Sequence, residues 1–276
     1  MVLYDQHTHT YFSGDSSEEP ENYIKRGLEL GLSGVTFTDH MDYDYPYEPA
    51  GVFEYDVDAA FAEFEGLREK YKGRFDIGKG IEIGLRTEPD KYENMRERLE
   101  KLIGEREYDV VIGSVHMLDN IDLFYADYWK DKDPRACVEN YFKAALFAVG
   151  YYDCFDIFGH LDYIIRYAPC EKSFYVPSDY SDITDEILKK LIERGKALEV
   201  NTKSLKPDYG LNAPNPGPEV IKRYIELGGE LLTLGSDAHF KEALAYRFDA
   251  GEEILKSCGV KYIAVYRNRK PVMMKL

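Results

Sequence analysis

Short apolar segments alternate with amphipathic helical ones along all 276 residues, and this alternation limits the fold more than any other feature of the chain. Apolar runs at 2–6, 34–38, 75–83, 109–115, 155–159, 197–201, 230–234 and 260–266 read as strands. Helical periodicity covers 20–30, 56–71, 90–106, 134–149, 183–194, 218–227 and 243–256. Gly31, Gly73, Gly195, Gly228 and Gly259 stand where helices stop, Ser17 is placed to cap the first helix, and Pro134 opens another. The segment at 272–275 is a candidate partner for 260–266. Repeated strand–helix units give a parallel sheet covered by helices. Seven or eight such units, with no linker or low-complexity break, fit a closed barrel better than an open doubly wound sheet, which is the alternative. One domain over 1–276 is expected.

The six histidines all follow predicted strands. His7 and His9 come after the first and His40 after the second. His116, His160 and His239 follow the segments at 109–115, 155–159 and 230–234. In a parallel barrel these strand ends share one face, the face that carries active sites. Imidazole is also the commonest protein ligand for transition metals. A single histidine after a strand is ordinarily a surface or capping residue; six with one shared geometry form a cluster. Asp15, Glu82, Asp162 and Asp237 accompany them, while Asp5 and Asp39 read as supporting residues and Glu29 and Glu100 as solvated helix faces. Mixed imidazole and carboxylate donors suit zinc, iron or manganese better than calcium. Several such ions together point to phosphoryl chemistry.

Charge narrows the substrate. A formal net charge of −16, with no run of lysine and arginine, opposes binding to nucleic acid and favours a small molecule. Cys137, Cys154, Cys170 and Cys258 lack metal-finger or CxxC spacing and read as reduced thiols. No apolar stretch is long enough to span a bilayer, and no leader pattern opens the chain. The expectation is a cytoplasmic protein with no membrane partner.

Taken in order, HTHT, TDH, GIEIG, GSVH, GHLD and GSDAH resemble the PHP family, named for polymerase and histidinol phosphatase. The chain looks most like its stand-alone monofunctional histidinol-phosphatase branch, and the resemblance runs from His7 to His239. It implies an α/β fold, a distorted (β/α)7 TIM-like barrel, holding three divalent metal ions (zinc, iron or manganese) at the C-terminal strand ends. It also implies the ligand sets. One ion falls to His7, His9, Glu82 and Asp237, with Glu82 bridging. A second falls to Glu82, His116 and His160, and a third to Asp15, His40 and His239. Some relatives have histidine where this chain has Asp15.

The reaction so implied is hydrolysis of a small phosphate monoester, histidinol phosphate, in histidine biosynthesis. Asp237 and His239 are the candidates for proton handling at the leaving oxygen. Arg166 and Lys203 are candidates for binding phosphate, Arg166 because its fork pairs with phosphate oxygens, and Arg247 is a weaker one. The loop after His40 is rich in tyrosine and acid: its rings are candidates for flanking an imidazole, and Asp42 and Asp44 for pairing with a substrate ammonium. A second aromatic loop spans 123–129. The rival readings are a phosphoesterase for a nucleotide, sugar phosphate or phosphotyrosine, a metal-dependent amide hydrolase with a carboxylated lysine in place of Glu82, and an inactive barrel used for binding.

Overall fold

The computed structural model describes residues 2–88, 91–92 and 94–276. In chain order its main elements are β1 (Tyr4–Thr8), α1 (Pro20–Leu30), β2 (Gly34–Phe37), β3 (His40–Met41), α2 (Val57–Tyr71), β4 (Asp76–Gly84), α3 (Met95–Gly104) and β5 (Val110–Ser114). There follow a small hairpin, β6 (Met117–Leu118) and β7 (Ile121–Asp122), then α4 (Ala126–Trp129), α5 (Pro134–Tyr151) and β8 (Ile157–Phe158). The chain ends with α6 (Ser181–Glu193), β9 (Ala197–Asn201), α7 (Pro218–Glu226), β10 (Leu232–Gly235), α8 (Phe248–Ser257), β11 (Tyr262–Arg267) and β12 (Lys270–Lys275).

The sheet order is β1-β2-β4-β5-β8-β9-β10, with every pair parallel. A parallel bridge between Thr8 and Ala238, with His9 N–H donating to Ala238 O at 2.8 Å, brings the last of these strands back to the first. The result is a nearly closed, seven-stranded TIM-like α/β barrel. Alternate residues of β4 explain its narrow bore: a Cβ at Gly78 would overlap Thr36, and one at Gly80 would lie 2.7 Å from Thr38 Cγ2. Odd-numbered Ile81 and Ile83 point outward into the helix-covered core. The helices bury one face each. In α7 that face is Val220, Ile221 and Tyr224, and a fully buried side chain of this size stabilises by about 1.5–3 kcal/mol.

The terminal hairpin lies outside the ring. Ala264 and Tyr266 of β11 pack on Val110, Ile112, Ile157 and Ala197 at the N-terminal mouth. The Gln6 side chain donates to Ala264 O at 2.8 Å and accepts from Tyr266 N–H at 2.7 Å. Arg269 closes on Asp156 at 2.9 Å. One end of the barrel is therefore plugged, and the other carries the site.

Several predicted ends shift for physical reasons. Glu19, not Ser17, occupies the cap position of α1, without a side-chain cap bond, and Pro20 opens the helix instead. The helix expected from 90 begins at Met95 because Asn94 is left-handed at φ 63°; Asp90 lies outside the described residues. The last helix begins at Phe248 rather than 243. Ala245 and Arg247 are left-handed, and Ala245 N–H is tied to the Asp5 carboxylate at 2.9 Å. Asp56 and Asp133 cap α2 and α5 through backbone N–H groups, as short acceptor side chains do.

Candidate metal centre

The strand ends deliver the donors. His7 lies in β1 and His9 two residues further along, so both rings turn to one side, and both are fully buried. β3 starts with His40, β4 carries Glu82, and His116, His160 and Asp237 each follow a strand by two residues. His160 and Asp237 have positive φ, 23° and 51°, an unfavourable backbone for residues with a side chain.

Glu82 sits at the centre. Its Oε2 lies 3.2 Å from His7 Nε2, 3.5 Å from His9 Nε2 and 3.0 Å from His40 Nδ1. Its Oε1 lies 3.3 Å from His116 Nε2 and 3.0 Å from His160 Nε2. The sixth histidine, His239, places Nε2 2.9 Å from Asp15 Oδ2, and His40 Nε2 is 3.8 Å from the same oxygen. Asp237 Oδ1 is 3.4 Å from His9 Nε2 and 3.5 Å from His239 Nδ1. All nine residues expected to bind metal thus meet in one cluster.

The cluster fits divalent cations. His7 Nε2, His9 Nε2, His40 Nδ1 and Glu82 Oε2 are buried without a hydrogen-bond partner among the described residues. Each such atom costs about 1–3 kcal/mol unless something satisfies it. Three-residue sets within reach of a single ion include His7–His9–Glu82, Glu82–His116–His160 and His9–His40–His239.

Charge is arranged to match. Burial opposes ionisation of Glu82, but His7, His40 and His116 overcome it and hold the carboxyl well below the usual range. Asp237 is likewise held low against burial by Lys203, His7 and Arg166. Burial disfavours charge on His7, yet Glu199, Glu82 and Asp237 push its pKa well above 6.5; Asp42 and Glu82 do the same for His116. His160 is lowered to about 4, mainly by burial.

A surrounding layer orients these ligands. Glu199 accepts from His7 Nδ1 at 2.6 Å and from the His160 N–H at 2.8 Å. Asp42 Oδ1 lies 2.9 Å from His116 Nδ1, and its other oxygen is 3.7 Å from His40 Nδ1. Asp39 accepts from Thr10 and Ser13. Asp5 holds Ser236 through both its N–H and its hydroxyl. Sequence reasoning missed Glu199; its signal was a lone acid inside the apolar strand ALEVN.

The candidate cations lie on the same face, both bound to Asp237. Arg166 donates to Asp237 Oδ2 at 3.0 Å, Asn215 Oδ1 at 2.7 Å and Asn201 Oδ1 at 2.7 Å, and is fully buried, with two N–H groups left over. Lys203 Nζ is 2.9 Å from Asp237 Oδ1 and 3.3 Å from His239 Nδ1. Arg247 instead pairs with Asp249 at the start of α8. The two loop acids are not placed for a substrate ammonium: Asp42 is buried against His116, and Asp44 pairs with Arg98 at 2.5 Å.

The rings of the two aromatic loops do meet. From His40, centroid contacts run through Phe53 (5.3 Å), Tyr45 (4.7 Å), Tyr47 (5.4 Å), Tyr125 (4.3 Å) and Phe124 (5.3 Å). They continue through Tyr167 (5.5 Å) and Tyr163 (5.0 Å) to His160 (4.8 Å). This aromatic collar borders the cluster, and Tyr45 donates to a nearly buried carboxylate in it, Asp122, at 2.8 Å.

A seven-stranded parallel barrel with a buried histidine–carboxylate cluster at one mouth defines a class of metal-binding barrel protein. The PHP domain model matches residues 5–203, and the chain belongs to the PHP family, in its histidinol-phosphatase branch. A Clostridium acetobutylicum protein named "Probable histidinol-phosphatase" is 32% identical over 260 residues, covering 94% of this chain and 95% of its own. The Lactococcus lactis histidinol-phosphatase is 27% identical, covering 98% and 96%. A crystal structure of the histidinol phosphate phosphatase from that organism, complexed with zinc, L-histidinol and phosphate, superposes with a TM-score of 0.87 at 26% identity, over 98% of both chains. A Listeria monocytogenes structure at 16% identity shares the fold, with a TM-score of 0.75 over 90% of this chain and 99% of its own.

Proposed function

We propose that this protein is a metal-dependent phosphomonoesterase that hydrolyses L-histidinol phosphate to L-histidinol and phosphate in histidine biosynthesis. One observation carries the reading: five imidazoles stand within 3.5 Å of the single buried carboxylate of Glu82. The assignment is three divalent ions, of zinc, iron or manganese. His7, His9, Glu82 and Asp237 hold the first, Glu82, His116 and His160 the second, and Asp15, His40 and His239 the third. Bound there, such ions supply charge neutralisation for phosphate and acidification of water.

The residues of the chain do the rest. Arg166 turns its two remaining N–H groups, and Lys203 its ammonium, towards phosphate oxygens beside Asp237. Hydrolysis of a monoester depends mainly on such positioning and charge compensation. Asp237 is held ionised by Lys203, His7 and Arg166, and His239 is pushed towards its neutral form by burial and Lys203. Asp237 and His239 are the candidates for delivering the proton that the leaving alkoxide needs to depart as L-histidinol. The collar gives an imidazole ring stacking partners, and Asp122 gives an acceptor beside them. The relatives that match nearly the whole chain bear the histidinol-phosphatase name.

The test is phosphate release from histidinol phosphate against nucleotide, sugar phosphate and phosphotyrosine, with metal content measured on the same sample. Strong preference for histidinol phosphate with three metals per chain is the expected result. Activity spread across the panel would overturn the substrate assignment, and no activity in a metal-loaded sample would overturn the reaction.

A further inference from the structure

Resting on this phosphatase reading, we propose that Lys206 is the cation that captures the phosphate group at the mouth of the site. A phosphate monoester arrives as an anion at a chain of net charge −16, so the mouth needs a positive charge that is not already cancelled. Arg166 and Lys203 are each already paired with Asp237, so part of their charge is compensated before an anion arrives. Lys206 is different. No carboxylate among the described residues stands within ion-pair distance of it. Its Nζ lies 4.7 Å from the ring centroid of Phe240 and 6.0 Å from that of Tyr246.

That seat matters because an aromatic face positions an ammonium without neutralising it. A carboxylate partner would cancel the charge an incoming anion needs. Burial, Lys203 and Arg166 lower the pKa of Lys206 from its ordinary value, while Asp237 and Asp208 act to raise it. Its place in the chain sets where it looks. It directly follows the turn Thr202–Leu205 at the C-terminal end of β9, in which Lys203 touches His239. Phe240, its aromatic platform, is the residue after His239. Lys206 therefore lies on the His239 side of the cluster, where His239 meets Asp15, whose side chain is 41% exposed. The aromatic collar borders His40 and His160 instead, so one substrate can present its ring to the collar and its phosphate to Lys206.

The test uses the full-length, metal-loaded protein and Lys206→Met, with Lys206→Gln as a second variant in case the first is unstable. KM for histidinol phosphate and the inhibition constant of inorganic phosphate should both rise about 10-fold, a loss within the range for one partly screened charge pair. The kcat and the metal content should stay at wild-type level. The salt dependence of kcat/KM should flatten, and Lys206→Arg should restore most of the loss. A KM and a phosphate inhibition constant within about two-fold of wild type would overturn the proposal. So would a loss confined to kcat and metal content. If the wild type does not turn over histidinol phosphate, calorimetric titration of inorganic phosphate into wild type and Lys206→Met still decides the role of Lys206 separately from the substrate.

Discussion

Replacing Glu199 by glutamine should weaken metal binding at His7 while leaving the fold intact. Glu199 is fully buried, and its carboxylate takes N–H groups from His7 Nδ1 at 2.6 Å, from the His160 backbone at 2.8 Å and from Asn201 Nδ2 at 3.1 Å. By holding the proton on Nδ1, it aims the free Nε2 of His7 at Glu82 and the metal position. Glutamine has a single acceptor oxygen, so its amide group must face at least one donor. The loss is one charge-assisted hydrogen bond, about 1.5–3 kcal/mol, which matches the 10–100-fold fall in metal affinity expected when a ligand loses its orienting carboxylate (roughly 10–100-fold). Metal-free protein would be titrated with zinc against a chromophoric chelator, with kcat/KM measured on the same samples. Zinc affinities and kcat/KM both within two-fold of wild type (about 0.4 kcal/mol) would refute the orienting role.

Asp42→Asn should lower kcat and metal occupancy about 10–100-fold, through His116, with KM for histidinol phosphate little changed; a rise in KM alone would return Asp42 to substrate contact. Gly84→Ala should mimic it, because a Cβ there would overlap the Asp42 carboxylate, and the double variant should add little to either single one; full additivity in metal content would contradict this. In the metal-free protein, His7 and His116 hold protons to pH values well above 6.5. Their folded pKa exceeds the unfolded one, so the stability they give is present below about pH 6.5 and is lost as pH rises through the folded values. Glu82 and Asp237 act oppositely, their contribution being lost in acid. The Tm of metal-free protein should therefore fall from pH 6 to pH 9 while zinc affinity rises and proton release per zinc shrinks; a metal-free Tm that climbs over that range would refute it. Deleting residues 260–276 should expose Val110, Ile112 and Ile157 at the plugged mouth and cause aggregation, read by light scattering; a monodisperse, zinc-loaded truncated protein would count against the plug.

Much of this site was legible because period-2 and period-3.6 patterns place strand ends, and strand ends place His7, His40, His116, His160 and His239. The glycines of GKGIEIG carried no such local signal; only the fold shows Gly78 and Gly80 clearing the bore in front of Thr36 and Thr38. What stayed hidden depends on neighbours brought together from far along the chain. Glu199 meets His7 across 192 residues, and Asp42 meets His116 across 74, so neither pairing leaves a local pattern. Loop acids such as Asp42 and Asp44 look equally available in sequence; only packing turns one inward to a histidine and the other to Arg98. Helix starts at Met95 and Phe248 were likewise set by left-handed residues that periodicity does not register.

The closure of the barrel also sets an order in time. Thr8 bridges Ala238, and Gln6 is tied to Ala264, 258 residues away. Contacts of such long sequence separation form late and slowly. His7 and His9 precede Asp237 and His239 by about 230 residues, so the full histidine–carboxylate cluster can assemble only once the segment carrying Asp237 and His239 has been made. Until then His7 and His9 lack the Asp237 carboxylate that the fold sets beside them, and a cation would meet an incomplete donor set. Zinc or manganese supplied after synthesis should therefore load the protein as fully as metal present throughout.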